Sequence, residues 1–345
     1  MTRSIAAVCL VLGTLVAVAP AQAEQRILRL GIFAPARHVH VARVLLPWVE
    51  RVNRELASEG VRIQPFTGGS LGRKGEAQLQ LMQAGVLDLT WFPTGYLPGR
   101  FPAIELLEIP LLSEDPVALS RAFWRLYERG SLPGLAGIKS LATSVSPPYY
   151  FHLTFEMNSL DDMAGRKIRV LNGAQAEMMQ ALGATPVAGI GGTEVAESLS
   201  RGLIDGALFS WHATRSMGME LITTTHVNQA IAFSPSILVM RQHTFDSLSR
   251  RAREIIDATT GKQLSMAYTE AMMVEVESAL ERVSADPRHV FYTPTAEESS
   301  RFRNTLLELV QRWAGNDPER HSLISTLQDV LAEVETDVEH VTLNE

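Results

Sequence analysis

Cysteine occurs once in this 345-residue chain, at Cys9. With no second cysteine there is no intramolecular disulfide and no thiolate cage for a metal. Basic charge is in deficit too: Lys and Arg number 31 against 38 Asp and Glu, a net charge of −7. No basic stripe is present, and an acidic chain of this kind is a poor nucleic-acid binder. Aromatic residues make up only 7%, so aromatics that recur at matching places carry weight. Beyond residue 23 no apolar run approaches the roughly 20 residues that a membrane-spanning helix needs.

The long apolar run lies at the start. Arg3 is the only charge before Glu24, residues 5–19 are almost wholly apolar, and Ala21-Gln22-Ala23 has the small-x-small form of a cleavage site. Residues 1–23 therefore read as a signal peptide, and the mature chain begins at Glu24 without Cys9. A periplasmic protein is expected, stabilised by its core and not membrane-spanning after cleavage. The remaining length suits two domains.

Residues 27–33 read as a buried strand. Residues 41–57 read as an amphipathic helix with Val44, Leu45, Trp48, Val49 and Val52 on one face and a bend at Pro47. A strand at 61–64, a helix at 76–84 ended by Gly85 and a strand at 86–91 complete β-α-β-α-β, the unit of a parallel sheet. The order recurs: strand 167–170, helix 174–182, strand 185–187, a helix capped by Thr193 and ended by Gly202, and strand 203–209. "AGVLDL" (84–89) and "RGLIDG" (201–206) fall at the same place in the two units, which marks Asp88 and Asp205 as a structural pair. The fold class is α/β, two similar units in tandem, with "SPPYYFH" (146–152) as a crossover. A strand at 237–240 follows. Residues 245–284 then form a nearly continuous helical pattern, about 60 Å long if unbroken, with Gly261 as a bend. Helices at 296–314 and 323–338 complete the chain. The expected division is 24–146 with 235–274 for the first unit, and 147–234 with 275–345 for the second.

Ligands of open parallel sheets bind beyond the carboxyl ends of the strands. Those ends are "APARHVH", "TGGSLG" and "WFPTGY" in the first unit, and "LNGAQ", "GIGGTE" and "FSWHATR" in the second. Arg169 ends its strand, Asn172 follows, and a helix begins near Ala174. That grouping suits a carboxylate or phosphate; a surface arginine on an edge strand fits the spacing equally. Trp91 and Phe92 follow one third strand, and Phe209 and Trp211 the other. They are either core or the walls of a cleft. His38-x-His40 lacks a third ligand, and "GIGGTE" has Glu194 where a dinucleotide fingerprint needs glycine, so neither metal nor cofactor is expected. Gly68-Gly69-Ser70-Leu71-Gly72 matches the nucleophile elbow of serine hydrolases. Gly72-Arg73-Lys74-Gly75 delays the following helix, however, which argues against Ser70 as a nucleophile.

"FTGGSLGRKGEAQLQLMQAGVLDL" (66–89), "LDDMAGRKIRVLNG" (160–173) and "SLSRGLIDGAL" (198–208) resemble, in order and spacing, the DctP-type extracytoplasmic solute-binding proteins of TRAP transporters. The resemblance covers nearly the whole mature chain. It implies a two-domain periplasmic binding protein fold, each domain a β-sheet flanked by helices, with a long helix spanning both. It implies no enzyme activity, closure over one small organic acid, and delivery to a sodium-coupled permease of small and large subunits. Arg169 matches the arginine that grips the ligand carboxylate in that family, and Asn172 a position that commonly helps. Tyr149 and Tyr150 stand where the sialic-acid branch carries another arginine. Arg37, His38 or Arg215 would have to supply a further cation for a C4-dicarboxylate. The favoured ligand is a monocarboxylate with an apolar or aromatic body, such as a 2-oxo or 2-hydroxy acid, bound by Arg169, Asn172, Trp91, Phe92, Tyr149, Tyr150, Phe209, Trp211 and His38.

Overall fold

A computed structural model describes residues 25–109 and 113–342; the expected signal peptide, with Cys9, lies outside the described residues. Eleven strands form two sheets. They are β1 (Arg26–Ile32), β2 (Val61–Phe66), β3 (Leu89–Pro93), β4 (Ile138–Val145), β5 (Tyr149–Leu153), β6 (Lys167–Arg169), β7 (Thr185–Val187), β8 (Gly206–Ser210), β9 (Thr225–Val227), β10 (Pro235–Arg241) and β11 (Val290–Tyr292). The first sheet has the order β2-β1-β3-β10-β4, the second β11-β9-β5-β8-β6-β7.

The internal repeat is visible in both. The trios β2-β1-β3 and β7-β6-β8 are each parallel, and each is flanked by one antiparallel strand, β10 beside β3 and β5 beside β8. Those two strands change places along the chain: β5 enters the second sheet early, and β10 returns to complete the first. Asp88 and Asp205 act as a pair. Asp88 accepts the Arg29 backbone N–H through its carboxylate at 2.8 Å, and Asp205 accepts that of Lys167 at 2.8 Å. Each also donates its own N–H to the carbonyl of that residue, at 2.9 and 2.7 Å. The repeated "D" thus bridges to the first strand of its unit.

The helices differ in detail from the periodicity. Regular α-helix begins at Leu46 (Leu46–Leu56), and 41–45 form a wider turn. Pro47 explains this, because it has no N–H to bond back to residue 43. Thr193 does not cap; Glu194 accepts the Gly191 N–H at 3.0 Å in its place. The pattern at 245–284 divides. Ser249 caps Arg250–Ala258, and Gly261 (φ 81°, ψ −146°) separates that helix from Lys262–Ser284. Together they form one long bent helix. The final helix, Pro318–Thr342, which the sequence groups with the second unit, packs on Pro116–Glu128 of the first; Glu333 pairs with Arg129 there at 2.5 Å. Leu327, Val330, Leu331 and Val334 join the first sheet's core. Among the described residues no helix is long and apolar enough to cross a membrane.

Candidate ligand-binding site

The carboxyl ends of β1 and β3 face those of β6 and β8 across a small cavity. Phe33, His38 and Trp91 line it from the first sheet; Arg169, Phe209 and His212 line it from the second. Its volume is about 50 Å³. One water needs ~10–15 Å³ on this measure, so the space suits a small molecule.

Arg169 is the cationic side chain at this cavity. It is 1% exposed. Strand alternation would aim it away from Ile168, and its Nε–H donates to the Ile190 carbonyl at 3.1 Å, which fixes the guanidinium. The Phe209 ring lies 5.6 Å from its Cζ. Among the described residues no carboxylate pairs with it. A buried cation without a counter-charge costs several kcal/mol, and a well-placed anion offsets that cost.

The walls are aromatic pairs. Phe33 stacks on Trp91 at 5.4 Å, and Tyr149 stacks on Phe209 at 5.9 Å. Burial pushes the Tyr149 hydroxyl up to about 12, so it stays a neutral phenol. Tyr96, Ser146, Ser234, Met217 and Met272 also border the space. Met272 comes from the long helix, which no local sequence pattern ties to strand ends. His212 stands in "FSWHATR" without a partner in sequence, and only the closure of the two sheets brings its ring to 5.6 Å from His38.

Not every residue expected here reaches the cavity. Phe92 is the neighbour of Trp91 on β3 and points to the opposite face, where it stacks near Phe101 at 6.4 Å. Tyr150 is separated from Tyr149 in the same way and packs beside Trp211 and Val283. Trp211 follows the last residue of β8 and opens a helical turn (Trp211–Thr214), so the pleat no longer sets its direction. It lies against His152 at 4.5 Å and His226 at 4.7 Å. Asn172 is occupied otherwise: its Oδ1 caps the helix Gly173–Ala181, accepting the Gln175 N–H at 3.0 Å, and its Nδ2 donates to Glu108. It borders a neighbouring crevice that it shares with Arg169. Arg37 and Arg215 line the outer crevices, not the cavity.

Among the hydrogen bonds that cross between the halves, three lie around the cleft. Arg37 Nε–H donates to the Ser216 carbonyl at 3.1 Å, the Gly192 N–H donates to the Tyr96 hydroxyl at 3.1 Å, and Asn172 donates to Glu108. The cleft is thus shut. Glu108 is buried, and burial, with Glu105 nearby, raises its carboxyl to about 8 despite the Asn172 bond. A neutral acid therefore sits at this bridge at pH 7.

Ser70 is exposed in the turn after β2, with no histidine or carboxylate bonded to it among the described residues. Gly68 and Gly69 both have positive φ, and their N–H groups donate to Ala34 and Ile32 at 2.9 and 3.0 Å, which ties this turn to the end of β1. Glycine is the residue that takes this conformation without strain. The helical turn starts only at Gly75, so the strand-to-helix elbow of a hydrolase is not formed.

Residues 30–316 match the DctP family, described as bacterial extracellular solute-binding protein, family 7. Among solved structures, the chain resembles a marine metagenome TRAP solute-binding protein specific for aromatic acids, in complex with 3-hydroxybenzoate (TM-score 0.82, 24% identity, 90% of this chain and 99% of that one). It resembles a Rhodoferax ferrireducens TRAP solute-binding protein with copurified benzoate (0.83, 23%, 90% and 99%). It also resembles one from Chromohalobacter salexigens with bound D-glucuronate (0.77, 20%, 88% and 99%). At these identities the likeness is one of fold.

Proposed function

The chain belongs to the DctP family of bacterial extracellular solute-binding proteins, and from that membership we propose that it captures an aromatic or similarly apolar monocarboxylate in the periplasm and delivers it to the small and large subunits of a TRAP permease. The observation that carries this reading is Arg169, a buried guanidinium without a counter-charge at a cavity walled by Phe33, Trp91, Tyr149 and Phe209. A carboxylate on Arg169 makes a charge-assisted, bidentate pair in a dry site. The aromatic pairs hold a flat body. Contacts with both halves favour the shut form over the open one, and that difference is what a permease can read. The units meet at the two crossovers, after β4 and before β10, and these serve as the hinge. A C4-dicarboxylate fits less well, because its second charge would meet no second cation in the cavity.

Arg169→Met tests the reading. In wild type, saturating benzoate raises the melting temperature. In Arg169→Met the affinity falls about 30-fold or more, as expected for losing one partner of a buried charge pair. The ligand-free melting temperature does not fall, because an uncompensated buried cation has been removed. Equal affinity in the two proteins would remove Arg169 from the site.

A further inference from the structure

Three imidazoles meet at this cavity with their hydrogen-bonding capacity unused. The His38 ring lies 4.2 Å from His40 and 5.6 Å from His212. They are 3%, 1% and 7% exposed. His38 and His212 line the cavity from opposite sheets, and His40 packs behind them on Trp91 at 3.9 Å. The Nδ1 atoms of His38 and His212, and both ring nitrogens of His40, are buried with no partner. An unmade hydrogen bond at a buried polar atom is costly, so such a cluster is built for a group that comes from outside. Among the described residues no set of three His, Cys, Asp or Glu side chains is placed to hold a metal ion.

Resting on the reading of Arg169 as the carboxylate anchor, we propose that His38 and His212, backed by His40, form a second polar contact in the same cavity, made for an uncharged hydroxyl on the ligand body. The preferred ligands are then hydroxylated aromatic monocarboxylates. A neutral imidazole offers one donor and one acceptor, and a hydroxyl offers both in return. A second carboxylate only accepts, and it would be desolvated without a cation. The imidazoles are neutral at pH 7, since burial, with Arg37 nearby, lowers His38 to about 4, and burial drives His40 and His212 well below their usual value.

The test is calorimetric titration of the mature protein with benzoate, 3-hydroxybenzoate, 4-hydroxybenzoate and benzene-1,3-dicarboxylate. At least one hydroxybenzoate is expected to bind wild type about tenfold tighter than benzoate, as one to two well-placed hydrogen bonds would give. The dicarboxylate is expected to bind more weakly than benzoate. In His38→Phe and His212→Phe the hydroxybenzoate-to-benzoate ratio should fall toward one. A wild-type ratio of one, or a ratio that survives both substitutions, overturns the inference while leaving the Arg169 reading intact. Absence of binding by all four acids overturns the parent reading and the inference with it. The wild-type ratio needs no variant, so a variant that fails to fold does not weaken the test.

Discussion

Trp91 and Trp211 occupy comparable places after the third strand of their units, yet the first lines the cavity and the second does not. Sequence shows that both lie near strand ends, but not that the chain turns helical at residue 211. Trp91→Phe should abolish most of the ligand-induced change in tryptophan fluorescence, and Trp211→Phe should preserve it; the reverse result would exchange their roles. Arg169 was legible because strand end, loop asparagine and helix start are local features. Glu108 was not, because its role depends on Asn172, which is brought to it only by folding. Its raised pKa has a definite sign. A carboxyl whose folded pKa (about 8) exceeds its unfolded value of 4.5 favours folding below pH 4.5 and loses that contribution as pH rises through 8. Glu108→Gln keeps the bridge without the charge. It should raise the ligand-free melting temperature at pH 8 by a few degrees and have little effect at pH 5; an equal shift at both would show that ionisation of Glu108 is not the cause.

Among elements, those with strong periodicity or inside the repeated unit were read from sequence, even the three-residue β6 and β7, and short strands outside it were not. The strands β9 and β11 have three residues each, too few to show alternation. The strand β4, "IKSLATSV", is buried on both faces and mixes serine and threonine with aliphatics, so the period-two signal is absent. The long helix was legible together with its bend. Its helical pattern continues through residue 261, and the bend expected at Gly261 is a full break in the backbone, with Gly261 at φ 81° against Trp124. A Cβ at that position would stand 3.1 Å from the indole as well as straining the backbone. Gly261→Ala should therefore destabilise the protein by about 1–3 kcal/mol, seen as a lower urea midpoint with an unchanged slope. An unchanged midpoint would mean that the bend relaxes at no cost.

Among the described residues five histidines are buried, His38, His40, His152, His212 and His226. Besides the three at the cavity, His152, His226 and His289 form a chain across the second sheet. His152 Nε2–H donates to the Phe209 carbonyl at 3.1 Å, so its Nδ1 must accept from His226 Nδ1–H at 2.9 Å, and His226 Nε2 in turn accepts from His289 Nδ1–H at 2.9 Å. Burial lowers His152 to about 3 and His226 to about 2. These folded-state values lie below the unfolded 6.5, so the unfolded chain binds more protons once the pH drops under 6.5. Stability should be level in this respect above pH 6.5 and fall steadily toward pH 4.5, with the several histidines outweighing the opposite trend of Glu108. Melting temperatures measured across that range check it; a flat or rising profile would contradict the neutral-histidine picture.

The exchange of β5 and β10 between the sheets also sets a timetable for a chain that emerges N-terminus first. Because β10 stands between β3 and β4, the first sheet has a gap between those two strands until Pro235–Arg241 emerges. The second sheet lacks only its edge strand β11 once Val227 is made, whereas the helix Pro318–Thr342 that seals the first half arrives last of all. A nascent chain stopped before Pro235 holds β4 with no strand to pair it to β3, so the first sheet cannot be completed at that point. Completion of the first half is thereby deferred, by topology alone, until nearly the entire polypeptide has been made.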